Sequence, residues 1–295
     1  MSDTVTCKSG LSESEKSKLF WASFLGLAAA GVGFVFRSMV PGLWATNFEV
    51  TSAEVGQLFG AGLWPIAITM ILFSLIVDKV GYKASMFCAF ALQAISVVLT
   101  ITAGSFDAMW WACICAGLGH GVVEAVINPL CATMYRDQKS KMLNILHASW
   151  PAGIVAGAVI WLTMFNKPDA TWASSSAVFW LMLIPVLGYG ILFAMCKKFP
   201  VDERVEAKVP MKDMLKEFGG LGAFIAITFL AYEVCNQTGT FQTDVYSLSH
   251  RLIACLIIGT LGGAVFGFAV GSKGKWLFFI LCLIMIPLAT AEIAT

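Results

Sequence analysis

The chain has 295 residues, of which 58% are hydrophobic and only 13% charged, with a net charge of +1 and a mean hydropathy of +0.81. A soluble domain carries about 25% charged residues, so composition excludes a soluble globular enzyme, a nucleic-acid binder and a disordered chain. The balance of 19 basic and 18 acidic residues leaves no global field to attract a polyanion.

Residues 1–18 are polar and of mixed charge, which predicts a cytoplasmic tail and no secretory leader. A membrane-spanning helix needs about 20 mostly apolar residues. Nine runs qualify: 19–44, 56–77, 84–104, 108–135, 142–165, 173–196, 218–236, 252–271 and 276–294. Alternating segments of about ten residues, the signature of a membrane barrel, are absent. The sequence therefore predicts an all-α, polytopic membrane helix bundle.

The loops fix an orientation. Lys8, Lys16 and Lys18, then Lys79 and Lys83, then Arg136, Lys139 and Lys141 fall on one side. Lys197, Lys198, Arg204, Lys208, Lys212, Lys216, Lys273 and Lys275 join them. The opposite loops hold only Lys167 and Arg251, and Arg37 lies within the first span. By the positive-inside rule the N-terminus is cytoplasmic and the bilayer is the cell's inner (plasma) membrane. The charged stretch 198–217 separates a six-helix unit, 19–197, from three further helices in 218–295. With acids interleaved among its lysines, it is expected to be a solvated loop.

A charged side chain at mid-bilayer costs at least about 2.5–3.5 kcal/mol, so those present need roles. They are Arg37, Glu124, Glu233 and Glu292, with His120 and His147 as titratable neighbours. In GLGHGVVEAVINPL, His120, Glu124 and Asn128 recur every four residues and form one polar stripe on a helix. Gly117, Gly119 and Gly121 permit close approach of another backbone, and Pro129 frees a carbonyl one turn earlier. The fifth run adds Asn144, His147, Trp150 and Pro151. Polar groups on two facing spans suggest a wet central cavity and not a lipid-facing surface. Two roles remain open for Glu124: proton carrier or substrate ligand, or structural counter-ion to Arg37. His147 is either a substrate contact or a helix–helix hydrogen bonder, His120 a structural hydrogen bonder, and Trp150 a stacking surface. Trp44, Trp110, Trp111 and Trp276 suit the interfacial belt. The nine cysteines show no CxxC pair and no Cys/His ligand spacing, so no metal and no cofactor are expected beyond a coupling proton.

Between the second and third runs stands Asp78-Lys79-Val80-Gly81-Tyr82-Lys83. It resembles the cytoplasmic loop signature of the major facilitator superfamily, Gly-x-x-x-Asp-Arg/Lys-x-Gly-Arg-Arg/Lys, with Ser74 in place of the leading Gly and Tyr82 at a basic position. The run Glu124-x-x-x-Asn128-Pro129, followed by Leu143-Asn144, is similar to the fucose:proton symporter-like branch. That resemblance covers about residues 20–197. It implies an N-terminal six-helix transporter half, a protonatable carboxylate at Glu124, and a substrate-cavity position at His147. It also implies a conformational gate at Asp78, Lys79, Gly81 and Lys83. Sugar symporters of that branch carry Asn and Asp in the first span, where this chain offers Arg37, which suits an anionic sugar acid or carboxylate equally well. A complete member has twelve spans, so the chain is expected to be a fragment with an inserted pair at 218–271, its missing C-terminal half lying in the same or another chain. The function implied is secondary transport of a small polar solute, a sugar or related carboxylate, by alternating access with a proton as coupling ion. The rival is a non-transporting membrane sensor or scaffold built on a half-transporter fold. An intramembrane enzyme is not expected, because no HExxH, GxSxG or paired catalytic Asp occurs.

Overall fold

The computed structural model describes residues 10–238 and 247–271. All of its regular structure among those residues is helical. The chain divides into two compact units, Met1–Glu206 and Ala207–Thr295. Eight helices among the described residues are long and apolar enough to cross a membrane. The ninth run, 276–294, with Trp276, Glu292, Lys273 and Lys275, lies outside the described residues, as does Lys8.

Helix α1 (Glu13–Met39) starts at Ser12, whose side chain accepts from the Glu15 amide while Glu15 reaches back to the Ser12 amide. The first apolar run was expected to continue to 44. It breaks instead at Val40, and Pro41 opens the short α2 (Pro41–Phe48). A proline lacks the N–H that would bond back one turn, and its ring disfavours helical ψ in the residue before it. Helix α3 (Ser52–Val80) is capped by Thr51 and Glu54 in the same reciprocal way. It ends at Gly81, whose φ of +85° suits a residue without a Cβ, and α4 (Tyr82–Thr102) begins at once.

Helix α5 (Phe106–Met134) lies at the centre of the first unit and packs against α1, α3 and α4. Its glycines set how closely. A Cβ at Gly117 would stand 2.8 Å from the Gly62 carbonyl oxygen, one at Gly119 2.9 Å from Gln93 Cγ, and one at Gly121 would overlap Thr69 Oγ1. Helices α3 and α4 thus come nearly backbone to backbone with α5, as small residues allow where lipid supplies no hydrophobic drive between helices.

The fifth span is interrupted. α6 (Lys139–His147) and α7 (Ser149–Ile160) meet at Ala148. Pro151 has no amide hydrogen for the His147 carbonyl, and Ser149 Oγ instead donates to the Leu146 carbonyl at 2.6 Å. The sixth span joins α8 (Trp172–Ser175) through a 3₁₀ stretch to α9 (Leu183–Met195). Two apolar layers fill the unit. One gathers Leu19, Leu27, Met86, Ile127 and Tyr189, the other Phe36, Trp44, Leu58, Met109 and Phe179.

After α9 the chain folds back as the short α10 (Glu203–Glu206). Arg136 Nη2 meets Glu206 Oε1 at 2.8 Å, so the beginning of the charged stretch 198–217 belongs to the first unit. The second unit holds α11 (Met211–Thr238) and α12 (Ser247–Val270). α11 kinks at Gly219, φ +62°, and starts before the expected boundary at 218. Within this unit Arg251 Nη1 donates to Asn236 Oδ1 at 2.7 Å, and Cys235 and Cys255 place their sulfurs 3.9 Å apart. Arg251, expected in a loop, is a buried residue of α12.

Candidate functional site

The polar stripe on α5 forms as the four-residue spacing requires. Asn128 Nδ2 donates to Glu124 Oε2 at 3.2 Å, and His120 Nε2 lies 3.6 Å from Glu124 Oε1. The Glu124 side chain is 16% exposed. It lines a cavity of about 380 Å³ with Asn128, Pro129 and Thr133 of α5, Ser74 of α3, and Asp202. Asp202, itself buried, accepts from the Tyr82 hydroxyl at 3.0 Å. The vestibule thus reaches toward the end of the unit that carries the α3–α4 loop.

Above Glu124 the stripe is closed by aromatic rings. The His120 imidazole stacks on the Trp150 indole, centroids 4.7 Å apart and planes 22° from parallel, and the Phe34 ring meets Trp150 at 5.5 Å in a tilted contact. Close backbone contact between α1 and α7 holds Trp150 there. A Cβ on Gly31 would overlap the Trp150 carbonyl, and one on Gly153 the Ala28 carbonyl. Trp150 therefore partners a protein ring.

Arg37 is placed elsewhere. It lines a second, smaller cavity of about 40 Å³ with Trp44, Gln93, Ser96 and His120. Its Nη1 donates to the Gly33 carbonyl at 3.1 Å and its Nη2 to Ser96 Oγ at 2.8 Å. The counter-ion pairing of Arg37 with Glu124 does not form. His120 stands between the two cavities, its ring on the smaller one and its Nε2 facing Glu124. Asn144 and His147 are exposed on α6, with His147 within electrostatic reach of Glu124. The structure thus brings together Glu124, Asn128, His120 and Trp150, and sets Arg37 apart.

The loop between α3 and α4 makes the expected kind of charge contact with a helix end. Lys83 Nζ donates to the carbonyls of Ala194 and Cys196, both at 3.1 Å, where α9 ends and its last carbonyls lack partners. Gly81 makes the turn, and Asp78 and Lys79 are exposed. Sequence reasoning missed Tyr82 and Asp202. Tyr82 was noted only as a departure from a basic position. Asp202 sits in a charged stretch where nothing distinguishes a buried acid from a solvated one. Among the described residues no three His, Cys, Asp or Glu side chains cluster as metal ligands would.

With eight apolar spans, a glycine-packed central helix and this loop in place, comparison with known families is decisive. Residues 22–294 match the model of the Major Facilitator Superfamily. The chain belongs to that superfamily. It is accordingly a multi-pass membrane protein. It is 22% identical over 235 residues to Multidrug resistance protein D of Escherichia coli (strain K12), a match that covers 76% of this chain and 57% of the relative. The chain thus spans a little over half the length of the curated relative it matches.

Proposed function

We propose that this superfamily member works in secondary transport of a small polar solute, a sugar or related carboxylate, by alternating access. Glu124 is its proton-coupling group. The observation that carries this reading is the Glu124 carboxylate at the wall of a 380 Å³ vestibule, bonded to Asn128 and faced by His120. An intramembrane carboxylate is costly to hold, and an ionised one in a closing cavity becomes costlier as water leaves. Protonation or a bound solute removes that penalty and permits closure. A second six-helix half, in the same or another chain, completes the cavity, and rocking between halves alternates access.

The vestibule lies on the side rich in basic residues, which supports a cytoplasmic N-terminus in the inner membrane. The Glu124-x-x-x-Asn128-Pro129 pattern supports the fucose:proton symporter-like branch. The E. coli relative's name points to drugs instead. Ser74, Asn128, Thr133 and Asp202 on the vestibule wall favour a solute that takes hydrogen bonds.

A thermal-shift screen of sugars, sugar acids and drug-like cations on the full-length protein tests this, because a ligand of the folded state raises the melting temperature. A sugar or carboxylate is expected to stabilise the protein, and Asn128→Ala to weaken that ligand at least about tenfold, one lost buried hydrogen bond. Stabilisation by drug-like cations alone would move the substrate class to that of the relative. No stabilisation, with no uptake in proteoliposomes, would favour a sensor or scaffold.

A further inference from the structure

Arg37 is 9% exposed in the middle of an apolar unit, and the groups lining its cavity and bonded to it include no Asp or Glu. Gly33 and Ser96 accept its Nη hydrogens, the Ser96 hydroxyl passes on to the Ala112 carbonyl at 2.9 Å, the Cys113 thiol lies beside it, and the Phe179 ring faces its Cζ at 5.8 Å. Among the described residues no carboxylate forms an ion pair with it. A buried charge of one sign with only dipoles about it is the arrangement proteins avoid unless something of the opposite sign enters.

The neighbouring donors point the same way. Arg37 Nε–H and Trp44 Nε1–H are both buried and have no hydrogen-bond acceptor, and both residues line the cavity of about 40 Å³. Such N–H groups are rarely left orphaned. A water needs roughly 10–15 Å³, so the space has room for one small ion or the head of a carboxylate. Water there would satisfy the two N–H groups and leave the charge uncompensated.

We propose that this cavity is a small-anion subsite, in which a carboxylate group or a halide neutralises Arg37 and accepts hydrogen bonds from Arg37 Nε and Trp44 Nε1. It is separate from the Glu124 vestibule, on the other side of His120. It does not depend on the transport reading, since a chain that moves no solute still binds the anion.

The test is the melting temperature of the full-length protein in detergent at constant ionic strength, titrated with potassium chloride or potassium acetate against a sulfonate too bulky for the cavity. Chloride, acetate or both are expected to raise the midpoint saturably. Response to chloride alone assigns a halide, and response to acetate alone assigns the carboxylate of a larger ligand. Arg37→Gln should abolish the saturable response while melting no lower than wild type in the sulfonate. Trp44→Phe, which keeps the charge and removes one N–H, should raise the half-saturating concentration about tenfold. Identical wild-type curves in all three salts, or a full response in Arg37→Gln, would overturn the proposal. Should Arg37→Gln not fold, an unchanged half-saturation in Trp44→Phe would overturn it equally.

Discussion

The imidazole of His120 lies on the indole of Trp150 with 4.7 Å between ring centres, which ties α5 to α7 directly above the Glu124 carboxylate. An offset aromatic pair contributes about 0.5–1.5 kcal/mol beyond its buried area. Trp150→Phe keeps a ring in the stack and Trp150→Ala does not. The alanine variant is expected to be less stable than the phenylalanine variant by at least about 1 kcal/mol, measured by denaturation in mixed micelles. Equal stabilities would show that the stack holds nothing together.

The close approach of α3 to α5 gives a paired test. Gly121→Ala puts a Cβ onto Thr69 Oγ1 and the Ile66 carbonyl, whereas a Cβ at Gly60 meets nothing within 4 Å. Overpacking against backbone costs about 1–3 kcal/mol, while Gly→Ala in an open helix position gains up to about 1 kcal/mol. Gly121→Ala should therefore lower the melting temperature and Gly60→Ala leave it unchanged or raise it.

Lys83 joins the start of α4 to the last carbonyls of α9. Lys83→Met keeps the aliphatic stem and removes the donor. It is expected to cost about 0.5–1.5 kcal/mol and to speed amide exchange at the end of α9, near Cys196, with the middle of the helix unaffected. Unchanged exchange there would mean that the loop does not hold that helix end.

Arg136 and Glu206 carry a pH dependence. The hydrogen bond from Arg136 holds the exposed Glu206 carboxyl below its ordinary value. A carboxyl depressed in the folded state stabilises above its unfolded pKa, about 4.3 for glutamate, and that contribution fades as pH falls through the lower folded value. Limited proteolysis after Val201, with an acid-active protease below about pH 5 and a neutral protease at about pH 7, should show cleavage of wild type rising only below about pH 4.3, and cleavage of Glu206→Gln already raised at neutral pH. A flat profile in wild type would exclude the pair as the segment's anchor.

Much of this was legible in the residues. Runs of apolar residues located eight helices long and apolar enough to cross a membrane, with ends displaced as at Val40, because burial in lipid demands helices of that length. The four-residue spacing of His120, Glu124 and Asn128 fixed their common face, and Gly117, Gly119 and Gly121 announced the tight packing of α5. What escaped is tertiary. The break at Val40 depends on whether Pro41 kinks a helix or starts one, and proline occurs inside α3 and α5 without ending them. Arg37 looked like a mate for Glu124 because both are charged and intramembrane. Which cavity each faces is set by how α1 packs against α5 and α7, and the close α1–α7 approach at Gly31 and Gly153 is a contact invisible in sequence. Trp150 offered a stacking face, and only the fold shows that His120 occupies it.

Glu124 is the proposed carrier of the coupling proton. The most direct measurement compares two modes of solute movement in proteoliposomes of the full-length protein and Glu124→Gln: accumulation driven by a proton gradient, and exchange across a membrane without one. A permanently neutral side chain should lose gradient-driven accumulation while exchange continues and no longer varies with pH. Wild-type accumulation in Glu124→Gln, with an unchanged pH profile, would contradict the role assigned to that carboxylate.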